Sequence, residues 1–173
     1  MNAMNYFELF NIPVQLKLDR NMLRSKYYEL SRKYHPDFYI NENPEKQLLV
    51  LEISAQLNKA YKTFQNTDET IKYTLQLKGL LHEEEKYQLP PDFLMEVLDI
   101  NEQLMDMGND PAGKVRIKLA IVNMQLAIYE PVKDIIEYYR EGMTTEKDLL
   151  KVKEYYYKKK YLQRIQQQLN GMS

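Results

Sequence analysis

Asp19-Arg-Asn-Met-Leu-Arg-Ser-Lys-Tyr-Tyr-Glu-Leu-Ser-Arg-Lys-Tyr34, followed at once by His35-Pro36-Asp37, is the stretch that organises the reading of this chain. Asp19 suits an N-cap, because its carboxylate accepts from backbone N–H groups that a helix start leaves unpaired. Leu23, Tyr27, Leu30 and Tyr34 recur at helical spacing and give one apolar stripe. Pro36 biases His35 away from the α region and stops the helix. A second helical pattern follows over Pro44 to Phe64, with Leu49, Ile53, Leu57, Ala60, Tyr61 and Phe64 on one face. The tripeptide is therefore expected on a loop between two helices. Arg20, Arg24, Lys26, Arg32 and Lys33 lead up to it against one internal acid, Glu29.

The chain has 173 residues, enough for one large or two small domains. An apolar fraction of 44% with only 5 Gly favours a helical globular protein over disorder or an all-β fold. The net charge of −1 excludes a global field that would draw the chain to nucleic acid or membrane, so any charge-guided partnership is local. With no cysteine, disulfides, thiolate catalysis and thiolate metal sites are excluded. No secretory leader pattern opens the sequence, and no stretch approaches the roughly 18 apolar residues of a membrane span. A cytoplasmic protein is the expectation.

Elsewhere the pattern is helical. Asn5-Tyr-Phe-Glu-Leu-Phe10 is a short apolar helix, and Asn66-Thr-Asp68 punctuates before a helix over Glu69 to Leu80. Residues 1–78 make a first domain. Residues 79–91 read as a linker, with Glu83-Glu-Glu85 a solvated acidic run and Pro90-Pro91 barring helix continuation. Residues 92–173 hold three helices. The first spans Asp92 to Met107. The second starts at Asp110-Pro111 and runs to about Arg140, with Pro131 kinking or breaking it. The last is capped by Thr144 or Thr145 and reaches about Leu169. Short connections make an antiparallel bundle, and the fold class is all-α.

The helix Asp92–Met107 carries two apolar arcs. At about 100° per residue, Phe93, Val97, Ile100, Leu104 and Met107 form one, while Leu94, Leu98 and Met105 form another with Met95 at its edge. Asp99, Glu102 and Asp106 lie beside the second arc. Either the helix is central in its bundle, or the second arc is a partner surface. Three carboxylates next to a buried strip would need bases to pair them.

A basic helix ending at His35-Pro36-Asp37 and followed by a second helix resembles the J-domain, the module that activates DnaK-type chaperones. Over the whole chain the layout is similar to the HscB family of iron–sulfur co-chaperones, bacterial type. That resemblance rests on Asn5-Tyr-Phe-Glu-Leu-Phe10, His35-Pro-Asp37, Leu57-Asn-Lys-Ala-Tyr61 and Phe93-Leu-Met-Glu96. It implies an N-terminal J-domain hairpin and a C-terminal scaffold-binding three-helix domain. His35, Pro36, Asp37, Arg24, Lys26, Arg32 and Lys33 would meet a DnaK-type ATP-dependent chaperone (HscA-like). Leu94, Met95, Leu98, Asp99, Glu102 and Tyr161 would hold the iron–sulfur scaffold protein (IscU-like). Tyr161 has a plain alternative, packing beside Leu162 and Ile165.

Enzymatic chemistry is not expected. His35 and His82 are the only histidines: His82 sits beside acids in the linker as a solvated residue, His35 with Asp37 has no third ligand or orienting residue nearby, and no Gly-rich phosphate loop is present. No catalytic residue, metal or cofactor is therefore assigned. The expected function is a co-chaperone that stimulates the chaperone's ATPase and delivers the scaffold to it, aiding cluster transfer. The competing readings are a general J-protein for unfolded clients and a helical adaptor with no chaperone role.

Overall fold

The computed structural model describes residues 3–171, and every regular element among them is helical. The chain divides into two compact units. One holds the described residues through Leu77 together with Tyr139–Met143, and the other holds Lys78–Tyr138 and the described residues from Thr144 onward.

In the first unit α1 (Tyr6–Phe10) starts at Asn5, which exchanges hydrogen bonds with Glu8 in a capping box. Helix α2 (Arg20–Lys33) is capped by Asp19, whose carboxylate accepts from the Met22 N–H at 2.7 Å. Helices α3 (Pro44–Phe64) and α4 (Thr67–Leu77) complete the unit. Phe7, Phe10, Leu18, Leu23, Leu57, Ala60 and Phe64 form its core. The α2–α3 hairpin is held by rings as well as aliphatics: Tyr27 stacks on Tyr61 at 4.0 Å, and its hydroxyl donates to Asn58 at 2.7 Å.

Three expectations need correction here. Leu49 is exposed, and Val50 takes its place in the core. Helix α4 begins earlier and ends earlier than Glu69–Leu80, since Asn66 caps it by accepting from the Glu69 N–H and Gly79 adopts a φ of +71° beyond its end. Leu77, in its last turn, is exposed.

The second unit packs α5 (Pro91–Met107), α6 (Pro111–Tyr129) and α8 (Glu146–Gly171) against one another in a three-helix bundle. Its core combines Phe93, Val97, Ile100 and Leu104 with Ile117, Ile121 and Met124, and with Leu162, Ile165 and Leu169. The two chain reversals are built locally. Asp110 accepts from the Ala112 and Gly113 N–H groups, both at 3.1 Å. Gly113 lies so close to Met107 that a Cβ would sit 2.8 Å from its Cγ. Thr145 and Asp148 cap α8 reciprocally.

The second predicted helix does not reach Arg140. Pro131 has no N–H to continue the ladder. The chain passes through a 3₁₀ turn at Glu130–Val132, and a separate short helix, α7 (Lys133–Glu137), follows. The acidic run is also not simply solvated. Glu85 pairs with Lys153 at 2.6 Å and accepts from the Tyr157 hydroxyl at 3.3 Å. Beside them Tyr87 stacks on Tyr157 at 4.6 Å. The segment expected to be a linker thus lies against α8 of its own unit.

Candidate chaperone and scaffold surfaces

In the first unit the tripeptide is more ordered than a plain loop. His35 caps a 3₁₀ turn, Pro36–Tyr39, and its Nδ1 accepts from the Asp37 N–H at 3.3 Å. In a neutral imidazole that bond leaves the proton on Nε2. The Asp37 carboxylate lies 3.7 Å from the same Nδ1, an ion contact only for a protonated imidazole. Both side chains are open to solvent, His35 at 54% and Asp37 at 79%.

Three hydrogen bonds fix the turn, from either side. The Tyr39 hydroxyl donates to the Lys33 carbonyl at 2.8 Å, tying it back to the end of α2. The Gln47 amide donates to the Ile40 and Glu42 carbonyls, each at 2.8 Å, tying its exit to α3. Phe38 sets its ring edge-on to His35 and is otherwise exposed. Arg24, Arg32 and Lys33 are exposed, and Lys26 is half-buried. Arg24 lies over the Tyr28 ring and Lys33 over Tyr34. The result is a basic helix leading to a tied-down turn that carries an exposed imidazole and carboxylate.

In the second unit the two arcs of α5 part cleanly. Phe93, Val97, Ile100 and Leu104 are buried, whereas Leu94, Met95, Leu98 and Met105 are exposed. Asp99 and Glu102 are exposed alongside them. The helix is therefore docked on one face, and its acid-edged strip lies at the surface of the unit. Tyr161 is half-buried, meets Phe93 edge-on at 6.4 Å and packs on the core. It also lines one cleft with Leu94, Leu89, Tyr157, Lys160 and Arg164. Tyr161 thus packs on the core and also lines the cleft. Lys86 lines it too, and of the bases on α8 only Arg164, three residues on from Tyr161, was at an offset that the sequence could have signalled.

His82 is exposed, and no group of acids and histidines able to hold a metal occurs among the described residues. No helix there is long and apolar enough to cross a membrane.

Comparison with known proteins agrees with this architecture. Residues 89–170 match the family described as the HSCB C-terminal oligomerisation domain. The "Co-chaperone protein HscB homolog" of Vibrio cholerae is 35% identical over 102 residues, 58% of this chain and 60% of that protein. The "Co-chaperone protein HscB" of Buchnera aphidicola is 37% identical over 112 residues, 64% of each chain. The matched stretches thus span a little under two-thirds of those relatives' length. Among solved structures, "Chaperone HscB from Vibrio cholerae" superposes with a TM-score of 0.77 at 25% identity over 96% of both chains. The human co-chaperone HscB crystal structure gives the same TM-score at 24% identity, covering 98% of this chain and 82% of that one, a likeness of fold.

Two helical units, the second of them matching that family model over nearly its whole length, define the class as a two-unit all-helical protein. In sequence and in fold the chain is similar to co-chaperone HscB proteins, and its residues 89–170 match the HSCB C-terminal domain.

Proposed function

We propose that this protein is a cytoplasmic co-chaperone, itself without enzymatic activity. It would activate a DnaK-type, HscA-like chaperone through its first unit and present an IscU-like iron–sulfur scaffold on its second. The observation that carries this reading is the exposed Leu94–Met95–Leu98 strip, edged by Asp99 and Glu102, on a helix whose opposite face is core. Exposed apolar residues gathered on one rim and bordered by one sign of charge are what a specific protein surface requires.

The steps follow from the two surfaces. Arg24, Lys26, Arg32 and Lys33 steer the first unit onto an acidic face of the ATP-bound chaperone and set its register. The Tyr39 and Gln47 hydrogen bonds then present His35, Pro36 and Asp37 without a further ordering cost. Among the described residues no lysine or arginine pairs with the Asp37 carboxylate, so it can compete for an arginine in the network that restrains hydrolysis. Meanwhile Leu94, Met95, Leu98 and Tyr161 anchor the scaffold, and Asp99 and Glu102 select a basic rim on it. Holding both partners on one chain raises the scaffold's effective concentration at the chaperone.

The test is a pair of titrations with purified proteins. A scaffold should bind saturably and lose affinity on Ala substitution of the strip, while a permanently unfolded client should bind weakly and ignore those substitutions. Equal binding of both by wild-type protein would favour the general J-protein reading instead.

A further inference from the structure

The cleft beside the α5 strip carries a charge that the scaffold surface described above leaves unused. Its volume is about 600 Å³, and all its lining residues belong to the second unit. Leu89, Leu94 and Tyr161 give it an apolar lining, together with the stacked rings of Tyr87 and Tyr157. Its bases are Lys86, from the segment before α5, and Lys160 and Arg164, which lie one turn apart on α8. All three are exposed, and none pairs with an acid among the described residues.

One acid lines the cleft, Glu85, and its charge is already answered. Lys153 lies 2.6 Å from its Oε1, while the Tyr157 hydroxyl and the His82 N–H donate to its Oε2, each at 3.3 Å. Three bases without an opposing acid call for an acidic occupant. A free anion such as phosphate would satisfy the bases and leave the apolar lining wet. A peptide segment supplies a carboxylate and an apolar side chain together.

Leu94 belongs to both the cleft and the strip, so an occupant of the cleft is continuous with whatever covers the strip. Farther along α5 the charge reverses. Asp99 and Glu102 are exposed, and α5 holds no base. From Leu94 to Glu102 is about 12 Å along the helix, and over that length the surface passes from basic to acidic.

We infer that the cleft is an acid-reading subsite: it seats an acidic peptide segment of the protein that covers the α5 strip. An Asp or Glu side chain of that segment meets Lys86, Lys160 and Arg164, and an apolar neighbour packs on Leu89, Leu94 and Tyr161. The partner's face is therefore dipolar, acidic toward the cleft and basic toward Asp99 and Glu102. Docking it in the reverse direction would set like charges together at both ends, so the two groups of charges fix its orientation. That the partner is an iron–sulfur scaffold rests on the reading above, whereas the preference of the cleft for carboxylate does not.

The test uses the full chain and a purified IscU-like scaffold. A carbodiimide, which joins an amine to a carboxylate already in contact with it, is applied to the complex, and mass spectrometry locates the bonds. Lys86 or Lys160 should be joined to an Asp or Glu of the scaffold. Lys160→Glu combined with Arg164→Glu should weaken calorimetric scaffold binding about tenfold and reduce its salt dependence, with the melting temperature within a few degrees of wild type. Lys160→Arg should bind within about twofold of wild type, because the charge is kept. Replacing the joined scaffold acid by Lys should weaken binding to the wild type and restore it to the double Glu variant. If the Leu94, Met95 and Leu98 triple Ala variant loses scaffold binding while the double Glu variant keeps it and neither lysine is joined, the subsite is overturned and the scaffold reading stands. If the lysines are joined and the double Glu variant is weakened while the triple Ala variant binds as wild type, the subsite stands and the scaffold reading of the strip fails. A scaffold that does not bind at all overturns both.

Discussion

Val97 and Leu98 are neighbours in the chain, yet Val97 is 2% exposed and Leu98 is 56% exposed. One peptide unit turns the helix by about 100°, which is enough to carry a side chain from the core to the rim. This pair is where stability and binding separate. Ala at Val97, Ile100 and Leu104 should destabilise the second unit by about 1–4 kcal/mol per site, through lost burial and the cavities left. Ala at Leu94, Met95 and Leu98 together should leave the melting temperature within a few degrees and weaken scaffold binding at least tenfold, as loss of central apolar anchors does. Thermal unfolding and scaffold titration on both triple variants check this.

His35→Gln and Asp37→Asn should each abolish stimulation of chaperone ATPase with helicity and melting temperature unchanged, since both side chains are exposed. Tyr39→Phe provides a graded companion. It removes the hydrogen bond to the Lys33 carbonyl without touching the tripeptide, so stimulation should fall several-fold and be recovered in part at higher protein concentration.

The charge of α2 should act on association. Arg24→Glu combined with Lys33→Glu reverses two exposed bases and should slow chaperone binding more than it speeds dissociation. Raising salt should weaken the wild type and bring the two proteins closer together, as stopped-flow binding at several ionic strengths would register.

Acid stability should depend on Glu85. The Lys153 hydrogen bond holds its carboxyl below the usual 4.5, with burial opposing. A depressed folded pKa means the unfolded chain takes the proton first. The stabilisation is therefore present above about pH 4.5 and lost as pH falls through the lower folded value. Glu85→Gln should flatten that acid limb and cost about 1–2 kcal/mol at neutral pH. At the alkaline end burial, aided by Glu85, pushes the Tyr157 phenol from 10.0 up to about 12. Its contribution is present below pH 10 and lost as pH rises toward 12. Urea melts from pH 3 to 12 would show both limbs.

Much of this was legible because it is local. Asp19, Pro36, Pro44 and Asp110 write helix ends into the sequence, and the two arcs of α5 follow from period alone. What depended on tertiary choice was less legible. Leu49 and Val50 both suit the core face of α3, and only packing selects Val50. Glu85 reads as one of three solvated acids until Lys153, 68 positions away, comes to meet it. The exposure of Val115, Leu119, Val122 and Leu126 on α6 was not legible either, because periodicity cannot tell a buried second face from an exposed one.

The most direct test of the account is the ATP hydrolysis rate of a DnaK-type, HscA-like chaperone with scaffold and this protein added singly and together. With both present, the wild type should raise the rate beyond the sum of the separate effects. The Leu94, Met95 and Leu98 triple Ala variant should keep its own stimulation but lose that excess, and Asp37→Asn should lose both. A wild type that leaves the rate unchanged, or a triple variant that retains the full excess, contradicts it.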